Sequence, residues 1–281
     1  MIPPMSQIMI RAFDNENRPI FAGNQPVDRV YFNLIKLAAA EIHQYRLPHF
    51  ETVVMPMAGT CDVTVDGGAF SNLGGRADIW DGKADSVYAG PNSDIVIVAR
   101  GDCEIAIAGG LWDRPMAPFR IRPEEVDIVD VGSNETKSRR RIFHILRRNG
   151  MGRAGNLLVS ELYADEGCWS GYPPHKHDTD QPGETAHQEL YHWRFDPPAG
   201  FGAQLWYTAD GDSTAYITRH GDTFAFSAGY HPTVTSPYHG SYIFTILVGK
   251  TQRSLIQNFD STYRHLMERI PGIDAMREKF R

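Results

Sequence analysis

Two imidazoles separated by one residue, His175 and His177 in Tyr172-Pro173-Pro174-His175-Lys176-His177-Asp178, are the sharpest chemical signal in the sequence. In an extended chain residues i and i+2 project from one face, roughly 6.5–7 Å apart along the strand. Both rings can then address a single metal ion while Lys176 turns away. The preceding Pro-Pro pair favours that extended entry. Glu189 follows after a polar loop and opens an aromatic run in which Glu189, Tyr191 and Trp193 share a face. His231 comes after a Gly-containing turn, Ser227-Ala228-Gly229-Tyr230-His231-Pro232, able to return an imidazole to the same place. Imidazole is a ligand for zinc, manganese, iron and nickel alike. Three neutral imidazoles and a carboxylate leave a divalent ion with a net charge of about +1, which favours an anionic or enediolate-like ligand. His175, His177, Glu189 and His231 are therefore the expected metal ligands, and one divalent metal (Zn, Mn, Fe or Ni) the expected cofactor. Tyr191, Tyr230 and Tyr242 are the candidate acid/base or hydrogen-bonding groups; the residue types do not single out the general base.

Each residue alone has a blander reading. An isolated His-x-His is more often surface or hydrogen-bonded histidine, Glu189 a surface strand residue, and His231 a turn cap. Their order and placement carry the metal reading jointly. The same histidines buried without an ion would need many compensating hydrogen bonds. His187, His192, His220 and His239 lack that context and read as surface or satisfied core histidines.

The elements that must position these groups are short strands. Glu51 to Pro56, Cys61 to Val65, Ser86 to Tyr88, Ile95 to Ala99 and Glu104 to Ala108 fit strands in the first half. Leu157 to Tyr163, Glu189 to Phe195, Gln204 to Thr208, Ala215 to Thr218, Thr223 to Phe226 and Tyr242 to Val248 repeat the style in the second. Gly, Asp, Asn and Pro punctuate them, which predicts an all-β sandwich or barrel. Phe32 to Ile42 fits a helix or a strand. From Asp260 the tail reads as a capped helix with Tyr263, Leu266 and Met267 on one face, broken by Pro271 and followed by a short turn carrying Ile273, Met276 and Phe280. The Pro-, Asp- and Glu-rich segment Pro115 to Glu135 reads as a linker. Nine of the eleven histidines follow residue 143. Two β-rich halves with the imidazoles in one suggest duplication with a single surviving site: residues 1–120 without metal ligands, residues 121–281 with them.

Bulk composition narrows the class. With 42% hydrophobic and 22% charged residues the 281-residue chain has a globular protein's composition. No apolar run approaches the roughly 18–20 residues that cross a bilayer, and Met1 to Ile10 lack a basic leader region. Cys61, Cys103 and Cys168 are sparse and form no CxxC pair, which argues against disulfides and thiolate zinc. The expected location is the reducing cytoplasm. A formal charge of −6 disfavours nucleic acid as a partner, and the basic run Lys137 to Arg141, with Arg147 and Arg148, reads as a solvated strand edge and turn.

His-x-His, then Glu, then a distant His after a Gly turn resembles the two cupin motifs, with a longer gap from His177 to Glu189 and Ser227 where Pro is frequent. A closer resemblance, spanning roughly residues 50 to 250, is to the 5-deoxy-glucuronate isomerases of inositol catabolism and the related uronate ketol-isomerases. It rests on Trp169 to Asp178, on Phe195-Asp196-Pro197-Pro198-Ala199-Gly200-Phe201-Gly202 and on Gly229-Tyr230-His231-Pro232. In the first half Arg76 to Asp85 and Phe119 to Val126 look like that family as well. The resemblance implies a bicupin fold with a degenerate first domain, a sugar-acid substrate, and isomerisation of 5-deoxy-glucuronate to 5-dehydro-2-deoxy-gluconate. Carried over position by position, it implies the same four ligands. Leu205 departs from an Arg frequent at its position, which implies a lost carboxylate clamp there. The residues themselves leave a cupin dioxygenase and a non-catalytic sugar-binding cupin open as alternatives. Exposed sheets commonly pair in such folds, so a homo-oligomer is expected.

Overall fold

Alternating apolar and polar residues build sheets with one wet face, and continuous apolar runs build sheets covered on both. The computed structural model describes residues 6–280, and both kinds of strand are present in it. Thr60–Val65 and Ile95–Ala99 are buried at every second position. Val30–Leu37, Phe50–Ala58, His187–Asp196 and Gly240–Gly249 are buried almost throughout. Residues 1–5, the first half of the Met1 to Ile10 segment, lie outside the described residues.

A seven-stranded antiparallel sheet runs Gln7–Ile10, Thr223–Phe226, His187–Asp196, Gly240–Gly249, Leu157–Ala164, Arg140–Leu146 and Asp127–Val131. A six-stranded sheet runs Phe119–Ile121, Ser86–Ala89, Phe50–Ala58, Cys103–Leu111, Val30–Leu37 and Phe21–Ala22. A four-stranded sheet faces each of them: Trp169–Ser170, Thr233–Thr235, Phe201–Tyr207 and Ser213–Arg219 in the second half, and Ile42–Tyr45, Ile95–Ala99, Thr60–Val65 and Gly68–Gly74 in the first. The result is the expected bicupin. Each barrel has its own apolar filling: Ile35, Val54, Val63, Ile97 and Ile107 in the first, Trp193, Phe195, Phe224 and Ile243 in the second.

The two large sheets also pack on one another. Phe32, Val53, Met55, Ala106, Leu157, Leu190, Tyr242, Phe244 and Ile246 share one buried cluster between them. Two buried polar ties cross the same interface. Arg76 holds Glu161 with Nη2–Oε1 at 2.6 Å and Nη1–Oε2 at 3.2 Å. Glu51 accepts from the Gly155 and Leu157 amides at 2.6 and 2.7 Å and from the Tyr88 hydroxyl at 2.6 Å. An edge strand crosses over as well, because Gln7–Ile10 pairs with Thr223–Phe226 of the second barrel. Phe119–Ile121, lying after the last central strand of the first half, closes the first barrel's large sheet beside Ser86–Ala89.

All the expected strands form. Phe32 to Ile42 resolves into most of the strand Val30–Leu37, a tight turn in which the Glu41 amide donates to Ala38 O at 3.0 Å, and the start of Ile42–Tyr45. The segment read as a linker is instead structured: Phe119–Ile121 belongs to the first large sheet, a 3-10 turn spans Pro123–Glu125, and Asp127–Val131 joins the second. A division at 120/121 therefore falls inside a strand. The basic run also needs correcting, since Arg140 is 2% and Arg147 6% exposed. Arg140–Leu146 is not the sheet edge, because Asp127–Val131 pairs along its outer side and covers it. In the tail Asp260 caps a 3-10 helix, Ser261–Leu266, and the α-helix Ile273–Phe280 follows Pro271. The three cysteines are free and buried. No described helix is long and apolar enough to cross a membrane.

Candidate metal centre

The His-x-His segment is pinned from both sides. His175–Lys176 forms a short ladder with Asn258–Phe259 of the tail, pairing His175 with Phe259 and Lys176 with Asn258. Alternation sends Lys176 outward, where Nζ meets Asp178 Oδ1 at 2.6 Å and Glu184 Oε1 at 2.8 Å. The long loop before Glu189 is wound around that Glu184, which also accepts from the Asp178 and Thr179 amides and from the side chains of Gln181 and Asn258. Glu189 lies on a central strand between Phe226 and Leu247. Gly229 makes the turn that brings in His231: its φ is +90°, and a Cβ there would sit 2.6 Å from the Trp206 indole nitrogen.

The four expected ligands converge. Ring centroids are 4.8 Å apart for His175 and His231, 5.0 Å for His177 and His231, and 6.0 Å for His175 and His177. One ring nitrogen from each of these three lies within 4.8 Å of the others, and all three residues are buried. Glu189 Oε2 is 2.9 Å from His177 Nε2 and 3.4 Å from His231 Nε2. Each Nδ1 faces a carbonyl, Pro173 O at 3.4 Å, His187 O at 3.2 Å and Gly229 O at 3.0 Å. A carbonyl only accepts, so each Nδ1 carries the proton and each neutral ring turns a bare Nε2 to the common centre. That second-shell arrangement fixes ligating tautomers in metalloproteins.

The donor set fits a divalent cation. His231 Nε2 is buried without a hydrogen-bond partner among the described residues, a situation that costs about 1–3 kcal/mol. A bare His177 Nε2 against a carboxylate oxygen is repulsive until a cation or proton lies between them. Burial, reinforced by His177, pulls the His175 pKa down to about 3. His231 lies well below the usual imidazole range for the same reasons, burial first and its histidine neighbours next. Burial also opposes charge on His177, but the Glu189 carboxylate outweighs it and raises that group.

The three tyrosines part company. Tyr191 shares the Glu189 face and lines the cavity over the imidazoles. Burial and then Glu189 hold its phenol well above the ordinary range, so it stays a proton donor. Tyr242, expected beside it, is turned away. It pairs with Arg194 across the ladder, one step out of phase with the Tyr191–Thr245 pair, and its hydroxyl donates to Glu161 at 2.9 Å in the interface between the barrels. Tyr230 precedes His231 in an extended segment bridged to Tyr207, so the two side chains leave opposite faces. It stacks on the Tyr207 ring at 4.9 Å and is not on the cavity wall.

Among the other histidines, His192 bonds Thr223 Oγ1 at 3.0 Å and is a satisfied core residue. The cavity wall combines His175, His177, Glu189, Tyr191, Thr245 and Ser160 with apolar Ile142, Leu162, Leu247, Phe259 and Met276. Ser160 and Thr245 were not expected there, and neither were Gln257 and Arg140. Gln257, whose Nε2 lies 2.8 Å from His175 Nε2, comes from the tail just ahead of the strand that pins His175. Arg140 comes from the basic run, and its phase with Ile142 along the strand was the available signal. Leu205 does not line this cavity; the guanidinium on its wall is that of Arg140.

A family model described as KduI/IolB family matches residues 12–266. The 5-deoxy-glucuronate isomerase of Shouchella clausii is 31% identical over 232 residues, covering 81% of this chain and 84% of that protein. The 5-deoxy-glucuronate isomerase of Bacillus subtilis is 29% identical over 253 residues, covering 89% and 92%. Among solved structures, an IolB-like protein from Salmonella typhimurium LT2 superposes with a TM-score of 0.83 at 27% identity, covering 89% of this chain and 94% of that one. An oxalate decarboxylase from Bacillus subtilis, at 10% identity and a TM-score of 0.58 over 82% and 71% of the two chains, shares the fold.

Proposed function

The chain belongs to the KduI/IolB family, and from that premise we propose that it is a metal-dependent aldose–ketose isomerase of inositol catabolism. Its substrate is 5-deoxy-glucuronate or a closely related deoxy-uronate, and its product the corresponding ketose, 5-dehydro-2-deoxy-gluconate. The observation that carries this reading is the convergence of three buried, carbonyl-oriented imidazoles with Glu189 beside a largely apolar cavity. His175, His177, His231 and Glu189 would hold a divalent ion, which when bound supplies positive charge to the substrate oxygens as they become more negative.

The remaining work belongs to the side chains. Isomerisation moves one proton between neighbouring carbons while a carbonyl and a hydroxyl exchange places, so the pocket must hold a proton briefly and return it. Glu189 is the carboxylate on the wall able to take and return that proton, and Tyr191, kept neutral, serves as donor to a substrate oxygen. The apolar wall of Leu162, Leu247, Phe259 and Met276 limits water and strengthens each polar contact inside.

Metal analysis of purified protein, coupled to an isomerase assay on deoxy-uronates and uronates, tests the proposal. Stoichiometric divalent metal with interconversion of 5-deoxy-glucuronate supports it. Oxygen consumption during turnover would make the chain a dioxygenase, and ligand binding with no interconversion a sugar-binding cupin; either result overturns the isomerase reading.

A further inference from the structure

Arg140 is a buried cation with no counter-ion of its own. It opens the strand Arg140–Leu146 and stands on the cavity wall with His175, His177, Glu189 and Tyr191. Nη1 donates to Ser138 O at 2.9 Å and Nη2 to Tyr172 O at 2.8 Å, and the rest of the guanidinium has no acceptor among the described residues. Three other buried or half-buried arginines have carboxylates, Arg76 with Glu161, Arg120 with Asp85 and Arg194 with Glu104, whereas Arg253, away from this cavity, donates to the Gly155, Leu157 and Arg147 carbonyls. Glu189, the acid on the same wall, is engaged by His177 and His231 instead. Placing a lone guanidinium in a largely apolar pocket costs several kcal/mol unless an anion joins it. Burial pulls its pKa down to about 10, with only Tyr191 and Cys168 acting to raise it.

We propose that Arg140 recognises the carboxylate of the sugar acid, which completes its ion pair. The inference rests on the reading of this cavity as the substrate site. Two backbone carbonyls fix the guanidinium before ligand arrives, so its free N–H groups can meet a planar carboxylate in fork geometry without first losing side-chain freedom. One of those carbonyls belongs to Tyr172, which leads directly into the His175 segment. The position of the carboxylate clamp is thereby tied to that of the metal ligands. Specificity for acids over neutral sugars comes from this one side chain, not from the position of Leu205.

The test compares D-glucuronate with D-glucuronamide, which are nearly isosteric and differ in charge, by calorimetric titration of the metal-loaded protein. The wild type is expected to favour the acid by about tenfold to a hundredfold, the range of a charge-assisted hydrogen-bond pair. Arg140→Met should bind both alike while keeping its full metal content. Arg140→Lys should keep part of the preference, because it retains charge and loses the fork. Equal binding of the two probes by the wild type, binding of neither, or an undiminished preference in Arg140→Met overturns the proposal. The wild-type comparison decides even where Arg140→Met fails to fold. Discrimination through Arg140 without any isomerisation would sink the isomerase reading and leave this one standing. Isomerisation with the acid preference intact in Arg140→Met would do the reverse.

Discussion

On its inner face the first barrel sets Val54 across from Val87 and Ile107; at the matching central strand the second sets Glu189 across from Phe226 and Leu247. The strand orders of the two large sheets correspond, from the exchanged edge strand inward. What differs is the filling. β-branched aliphatics close the first barrel around Val63, Ile97 and Ile105, and they offer nothing to a cation. In the second barrel polar groups of the same strands meet around a cavity, and the chain's tail supplies Phe259 and Met276 to cover it. Corresponding sheet orders thus carry a sealed apolar interior in one half and a candidate metal centre in the other. The side chains on the inner face decide which.

The comparison breaks most sharply at the imidazoles. His177→Ala should lose bound metal and drop turnover to background, read by elemental analysis beside the isomerase assay. In the first barrel, Ile97→Ala should leave metal content intact and lower stability by about 2–5 kcal/mol through a cavity in a sealed core. If Ile97→Ala strips the metal as well, the two interiors are not separable. The interface is next in size. Arg76→Met leaves the Glu161 carboxylate buried and uncompensated between the barrels, and denaturant unfolding should show a loss of about 3–5 kcal/mol. Both halves should unfold in one transition, since the shared apolar cluster and the edge strand Gln7–Ile10 cross the same boundary.

Tyr191 and Tyr242 sharpen the contrast within one sheet. Tyr191→Phe, which removes a donor from the cavity, should lower kcat by about tenfold to a hundredfold with little change in stability. Tyr242→Phe should leave kcat alone and weaken the fold by about 1 kcal/mol, because its hydroxyl serves Glu161 rather than substrate.

How much of this was legible follows from the range of each interaction. His175 and His177 share a metal-facing side because strand alternation is a property of three consecutive residues. The Gly229 turn is equally local, and so His231 could be placed beside them. Tyr242 was misplaced because its phase relative to Glu189 is set by a cross-strand register, Arg194 opposite Tyr242, that no local pattern encodes. Arg140 looked solvated because its burial depends on Asp127–Val131 adding outside its strand. Gln7–Ile10 was invisible as a strand of the second barrel, since its partner Thr223–Phe226 lies near the other end of the chain. Charge-rich composition described the segments correctly and their neighbours not at all.

The smallest expected effect concerns the tail, which only the second barrel uses as a cover. Asp260 accepts from the Thr262 amide at 2.9 Å as the cap of the 3-10 helix, and from the Tyr207 hydroxyl at 2.8 Å. Asp260→Ala should cost about 1 kcal/mol, as lost caps do, seen as a Tm lower by about 2–4 °C. Partial burial works against the carboxylate's charge, but the Tyr207 and Thr262 hydrogen bonds outweigh it and hold its pKa below the usual value. The sign follows: a depressed folded-state pKa gives stability that is present above the ordinary carboxylate range and is lost as pH falls through and below it. The difference between wild type and Asp260→Ala should therefore be constant near neutral pH and shrink in acid. Because Asn258–Phe259 pairs directly with His175–Lys176, a loosened tail should also raise KM while the metal stays bound. An unchanged KM would mean that the short ladder beside His175 holds the cover without its cap.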